Sequence, residues 1–266
     1  TNPRIPGILA SPPTRATFNT GALTPVPDTA LSAIAGGRLY LFGETITTDA
    51  NSAWYTSNMT SFTELALTWN TGNLADKITA VTSDGTNIYI CGRDTATGGF
   101  QIRAIAGVSG TLSNIRTYGA PASTFPVIGM GVLGDYLYYY NGHKFWHRKI
   151  SNGTSAGEKV AKTGPDLTGL TYKTDYWGGA VTGGGSIFYF LSTEGMTTVY
   201  ETSADSATRE IWTLPNGFTG KAMTYQAGAV VVVGEYLNNA AAYGMSTVSR
   251  QPIFLGFIRP GTDISP

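Results

Sequence analysis

The sequence predicts an all-β chain of five repeated units, and three observations carry that prediction. A glycine-led segment recurs in altered form: GGRLYLFG at Gly36–Gly43, GTNIYICG at Gly85–Gly92, GDYLYYYN at Gly134–Asn141, GGSIFYFL at Gly184–Leu191 and GAVVVVG at Gly228–Gly234. The marker glycines Gly36, Gly85, Gly134, Gly184 and Gly228 follow one another at intervals of 49, 49, 50 and 44 residues. No segment combines helical periodicity with start and stop signals. A turn glycine feeding a short aromatic or β-branched strand at this period is the mark of a β-propeller blade. The expected architecture is a five-bladed β-propeller of four-stranded antiparallel blades with an N-terminal Pro-rich arm.

Residues 1–28 are dense in proline, which fixes φ and removes a ladder donor, so they are expected to form an extended arm. The arm is read as a linker or as a ring-closing strand, with ILA or RATFN lying beside Ile253–Ile258. Blade one spans about 29–73, with ALSAIA, RLYLFGE, SAWYTS and FTELALTW as its strands; the last two alternate apolar and polar residues, as half-buried strands do. Small ALSAIA suits the innermost position, where neighbouring blades crowd the axis. Blade two (74–124) offers ITAVTS, NIYICG, FQIRAIA and LSNIRTY. Blade three (125–166) offers VIGMGVL, YLYYY, KFWHRKI and a weaker EKVAKT. Blade four (167–217) reads WGGAVTG, SIFYFLS, TTVYETS and REIWTLP, and blade five (218–260) reads KAMTYQ, AVVVVGE, AAYGMST and PIFLGFI.

Composition narrows the partners. Lys plus Arg and Asp plus Glu number 17 each in 266 residues, so no excess positive charge exists to neutralise phosphates, and nucleic acid is not an expected partner. Only 13% of residues are charged while glycine numbers 34, a balance common in extracellular β-proteins. Cys91 is the only cysteine; inside IYICG it reads as a buried core thiol, and it leaves the redox compartment open. The longest apolar run, AGAVVVVG, is strand-sized and falls short of the ~18 residues of a spanning helix, so no membrane insertion is expected. The chain opens Thr1-Asn2-Pro3 without an initiator methionine, which predicts a processed product or an excised domain.

GGRLYLFG resembles the second strand of a kelch blade, where paired glycines and an aromatic occupy comparable places, although Glu44 follows Gly43 where kelch units carry a double glycine. YTSNMTSF at Tyr55–Phe62 and YETSADSATREIW at Tyr200–Trp212 are similar to the Asp-box turn of sialidase-like propellers, with its glycine lost. With the Thr/Gly/Ala/Asn-rich composition, the chain looks like the propeller domains of bacteriophage tail and fibre proteins and of microbial adhesins. That likeness implies an attachment or structural role in a virion or outside the cell.

Several constellations are candidates for chemistry. His143 and His147 stand at i, i+4, but on a strand that separation spans ~13 Å, too far to share an ion, so no metal is expected. Asp28, Asp76 and Asp175 each fall eight or nine residues before a marker glycine, where an inner strand opens toward the channel. Three such acids could serve glycoside hydrolysis, one as general acid and another as base or nucleophile. Asp also launches strands by bonding nearby amides, and the comparable positions of blades three and five hold Thr124 and Gly220. The TGGGSIF run at Thr182–Phe188 lacks a following Lys-Ser or Lys-Thr and reads as a turn rather than a phosphate loop. No nucleophile elbow, Ca²⁺ loop or cofactor motif is present, and no cofactor is expected.

Aromatic residues remain. Trp54, Tyr55, Trp146, Tyr176 and Trp177 lie at strand ends or on outer strands, where flat rings can stack on sugar C–H faces, although wedges between blades also consume aromatics. The expected function is therefore a non-enzymatic, virion-associated or extracellular propeller that binds surface glycan or a virion or host-surface protein. The alternatives are a glycoside hydrolase using the three aspartates and a purely architectural scaffold. Self-association is left open.

Overall fold

Each glycine-led segment becomes the second strand of a four-stranded antiparallel meander, and five meanders follow one another along the chain. Residues 31–43, 53–58, 61–65, 67–69, 75–106, 113–117, 126–151, 155–159, 167, 169–171, 175–193 and 195–258 are described in the computed structural model. Blade one comprises β1 (Leu31–Ala35), β2 (Arg38–Phe42), β3 (Ala53–Thr56) and β4 (Thr63–Glu64). Blade two comprises β5 (Ala75–Ser83), β6 (Asn87–Asp94), β7 (Phe100–Ala106) and β8 (Ser113–Thr117). Blade three holds β9 (Gly129–Leu133), β10 (Tyr136–Tyr140), β11 (Phe145–Lys149) and β12 (Ser155–Glu158). Blade four holds β13 (Tyr176–Gly183), β14 (Ser186–Thr193), β15 (Met196–Ser203) and β16 (Arg209–Thr213), and blade five β17 (Phe218–Gln226), β18 (Ala229–Tyr236), β19 (Asn239–Ser246) and β20 (Pro252–Phe257). The molecule is a five-bladed β-propeller, and among the described residues no helix is long and apolar enough to cross a membrane.

The marker glycines are explained by their backbone. Gly36 and Gly37 (φ 54° and 71°) close the two-residue link between Ala35 and Arg38, and Gly184 and Gly185 (58° and 78°) do the same between Gly183 and Ser186. Tight hairpins of this length need left-handed residues, which glycine supplies without a steric penalty.

The marker strands are apolar on both faces because each lies between two neighbouring blades. In β6, Ile88 and Ile90 enter the cluster shared with blade one, while Tyr89 and Cys91 enter the one shared with blade three. In β10, Leu137 and Tyr139 turn toward blade two and Tyr138 and Tyr140 toward blade four. In β14, Ile187, Tyr189 and Leu191 join blade three while Phe190 joins the cluster with blade five. A period of two thus divides one strand between two cores.

Two outer strands differ from the sequence expectation. The fourth strand of blade three is Ser155–Glu158 rather than EKVAKT: pairing resumes as soon as the chain returns, with Arg148 opposite Ser155 and Trp146 opposite Glu158. In blade one the fourth strand shrinks to Thr63 and Glu64, with the Leu65 amide donating to the Ala53 carbonyl at 2.8 Å, yet the expected alternation persists beyond it, because Leu65, Leu67 and Trp69 are buried and Thr68 is exposed.

Candidate functional site

The inner strands β1, β5, β9, β13 and β17 each end a sheet, so among the described residues each has a ladder partner on one side only. All five contribute to the wall of a single axial cavity of about 360 Å³. That volume lies at the lower end of the range for small-molecule sites, about 300–1,000 Å³. The wall is mainly aliphatic side chains and glycine backbone. Trp177 of β13 and Lys221 of β17 are its most distinctive members, and Lys221 is its only charged side chain among the described residues.

Lys221 reaches this wall because of a β-bulge. Gly220 pairs with Gly234 and Ala222 with Val233, so Lys221 is the extra residue of β17 and the in–out alternation shifts there by one. The shift places the Lys221 ammonium over the Trp177 ring, 3.9 Å from its centroid. That is a close cation–π contact across the joint between blades four and five. Burial pulls the Lys221 pKa below its ordinary value, and the charge of Glu235 opposes that shift.

The bulge has its own support. The Gly220 amide donates to Ser192 Oγ (3.1 Å) and Thr197 Oγ1 (2.9 Å), and all three groups are buried. Thr197 Oγ1 donates to the Phe218 carbonyl at 2.8 Å, so in the 2.8 Å contact between the two hydroxyls Ser192 is the donor. Ser192 is also the ladder partner of Trp177. One hydroxyl pair from β14 and β15 thereby fixes the Lys221 backbone relative to the strand that carries the indole.

Glycine shapes the wall where β9 meets β13. A Cβ on Gly178 would stand 2.9 Å from Ile128 Cδ1, and one on Gly129 would stand 3.1 Å from the Gly179 carbonyl. The sequences Trp-Gly-Gly and Ile-Gly-Met-Gly let β9 and β13 approach closely where both line the cavity.

Of the three expected acids, only the side chain of Asp175 is described, and it is not among the residues of this wall. Asp28 lies outside the described residues. Asp76 is the extra residue of a bulge between Ala75 and Lys77 in β5, and its side chain is outside the description. Asp175 is exposed in the turn before β13, where its Oδ2 accepts the Thr171 amide at 2.7 Å. The aromatics are also dispersed. Trp54 is buried, and Tyr176 lies in the cluster between blades three and four. Tyr55 is half-buried, 5.9 Å from Tyr40 with Arg38 over its ring at 5.1 Å, and Trp146 packs at the edge of the cluster between blades two and three. Trp177 alone among these aromatics faces the axis.

His147 packs against Tyr136 (5.4 Å) and Tyr138 (5.7 Å), and burial together with Lys159 lowers its pKa. Among the described residues no three His, Cys, Asp or Glu side chains gather as a metal would require. Lys221 was not among the sequence candidates. Its available signal is a lone cation in the apolar run FTGKAMTYQ, directly after a glycine and out of step with the alternation.

No family model matches the chain, and no curated protein matches it in sequence. Solved structures share its fold at low identity. A TolB candidate from Agrobacterium tumefaciens aligns at 12% identity and a TM-score of 0.58 over 86% of this chain and 80% of its own. The periplasmic gluconolactonase of Pseudomonas aeruginosa aligns at 15% and 0.55 over 86% and 71%. A GH74 xyloglucanase from Xanthomonas campestris aligns at 14% and 0.56 over 84% of this chain and 37% of its own. The likeness is one of fold. Propellers with such different activities set no expectation for the chemistry of this cavity.

Proposed function

We propose that this chain is a non-enzymatic attachment module, virion-associated or extracellular, that holds surface glycan in its axial channel. The observation that carries the reading is the convergence of five edge strands on one cavity with an indole in its wall. Edge strands present backbone N–H and C=O groups without ladder partners on that side, a matching surface for sugar hydroxyls. An aromatic wall adds the flat apolar contact that saccharides use. The low charge of the chain and its propeller fold suit display outside the cell.

The test is a glycan panel incubated with the full chain and read for both retention and release of reducing ends. Retention without release is the expected result. Trp177→Ala should weaken retention about tenfold or more, while Trp146→Ala, which alters a wedge remote from the axis, should leave it unchanged with the ring still folded by circular dichroism. Release of reducing ends would instead favour the hydrolase reading and direct mutagenesis to Asp28, Asp76 and Asp175. Retention unaltered by Trp177→Ala would remove the channel from the proposal.

A further inference from the structure

We infer that the axial channel selects an acidic saccharide, with Lys221 as the group that reads its carboxylate. The inference rests on the channel-binding reading and narrows it to one ligand class. Lys221 is the only charged side chain of the described wall. Its single close partner there is the Trp177 ring at 3.9 Å, and among the described residues it forms no hydrogen bond or ion pair. A π face attracts an ammonium but accepts none of its three N–H groups in the way an anion does, so those donors are free for a ligand. An ammonium in a mostly apolar enclosure has lost part of its hydration, and an entering carboxylate restores it with charge-assisted hydrogen bonds.

The site is built rather than incidental. Lys221 is directed into the channel by a bulge, and the Gly220 amide beside that bulge is satisfied by two buried hydroxyls, Ser192 and Thr197, that belong to blade four. A lysine on the regular strand would point to the other face of the blade. The anion recognised is part of a polyhydroxylated molecule, because the remaining wall offers what hydroxyl groups need: the axial edge of the inner strands, which has no ladder partner among the described residues. A small inorganic anion would use the lysine and leave that edge unpaired. A uronic-acid oligosaccharide would use both.

The discriminating experiment is isothermal titration of the full chain with trigalacturonate, with its neutral methyl ester, and with sodium acetate as a charge-only probe. The expected result is binding of trigalacturonate about tenfold or more tighter than the ester, with acetate weaker than either. Lys221→Met should abolish the preference by weakening the acid to the level of the ester, and Lys221→Arg should retain it. Lys221 is half-exposed, so neither replacement empties a core. Equal binding of acid and ester would overturn the inference while leaving the glycan-binding reading intact. A preference for the acid that survives in Lys221→Met would also overturn it, by placing the anion elsewhere. Binding of acetate as tight as trigalacturonate would reduce the site to a simple anion site and overturn the saccharide assignment. Failure of both trisaccharides to bind would overturn the inference together with the channel reading.

Discussion

At the scale of single residues, the sequence is informative where one physical requirement dominates. Cys91 is an example: a lone cysteine in IYICG reads as a core thiol, and the structure buries it completely between blades two and three. Burial pushes its pKa up to about 11, with smaller opposing contributions from Thr79 and the Val127 backbone. A folded-state value above the ordinary one means that the neutral thiol is favoured. The associated stability is present below the ordinary value of 9.0 and is lost as the pH rises through about 11. Iodoacetamide at pH 8 should therefore leave the native protein unmodified and label Cys91 only as fast as the ring unfolds, which mass spectrometry across a urea series can follow. Labelling of native protein at the rate of a free thiol would contradict the buried assignment. Lys221 is the opposite case. Nothing in its residue type separates it from a surface lysine, and its role depends on a one-residue bulge that local propensity does not encode.

At the scale of elements, the second strand of every blade is legible and the irregular parts are not. YLYYY and SIFYFLS could be read because burial on both faces demands an unbroken apolar run, and turn glycines bound them. Bulges escape such a reading, since an inserted residue changes the face of its successors without changing composition. β5 carries two bulges and β17 one, both in inner strands. The β17 bulge depends on the buried hydroxyls of Ser192 and Thr197, so Thr197→Val, nearly identical in volume, tests it. Loss of that acceptor and of the bond to the Phe218 carbonyl should cost about 1–3 kcal/mol in denaturant unfolding. It should also loosen Lys221 and reduce the discrimination between acidic and neutral trisaccharide more than it reduces affinity for the neutral one. A mutant destabilised to that extent with discrimination unchanged would show that the hydroxyl pair supports the fold without positioning the lysine.

At the scale of the whole molecule, five blades in a ring have five joints, and the described residues give four of them a buried apolar cluster. The joint of blade five to blade one is different. Leu39 and Leu41 of β2 and Val231 and Val233 of β18, the counterparts of residues buried elsewhere in the ring, are only half-buried, and Ile34 of β1 is 67% exposed. Outer strand β20 exposes Ile253, Phe254, Leu255 and Phe257 as well, although Phe254 still touches Tyr243 at 5.0 Å. Cooperative stability in a repeat architecture is a sum over neighbouring interfaces, so the weakest interface determines where the ring opens first. Contrast this with blade four, where Glu201 is buried and held by Arg209 (2.9 Å), by Arg250 reaching over from blade five (3.0 Å) and by Ser186. Amide exchange should accordingly rank the blades: the β13–β14 and β14–β15 ladders last to exchange, and the β1–β2 and β19–β20 ladders first, with the difference read by mass spectrometry on peptides that cover each hairpin. Uniform protection around the ring would mean that blades five and one are joined as firmly as the rest, and that the apolar strip on β20 is covered in solution.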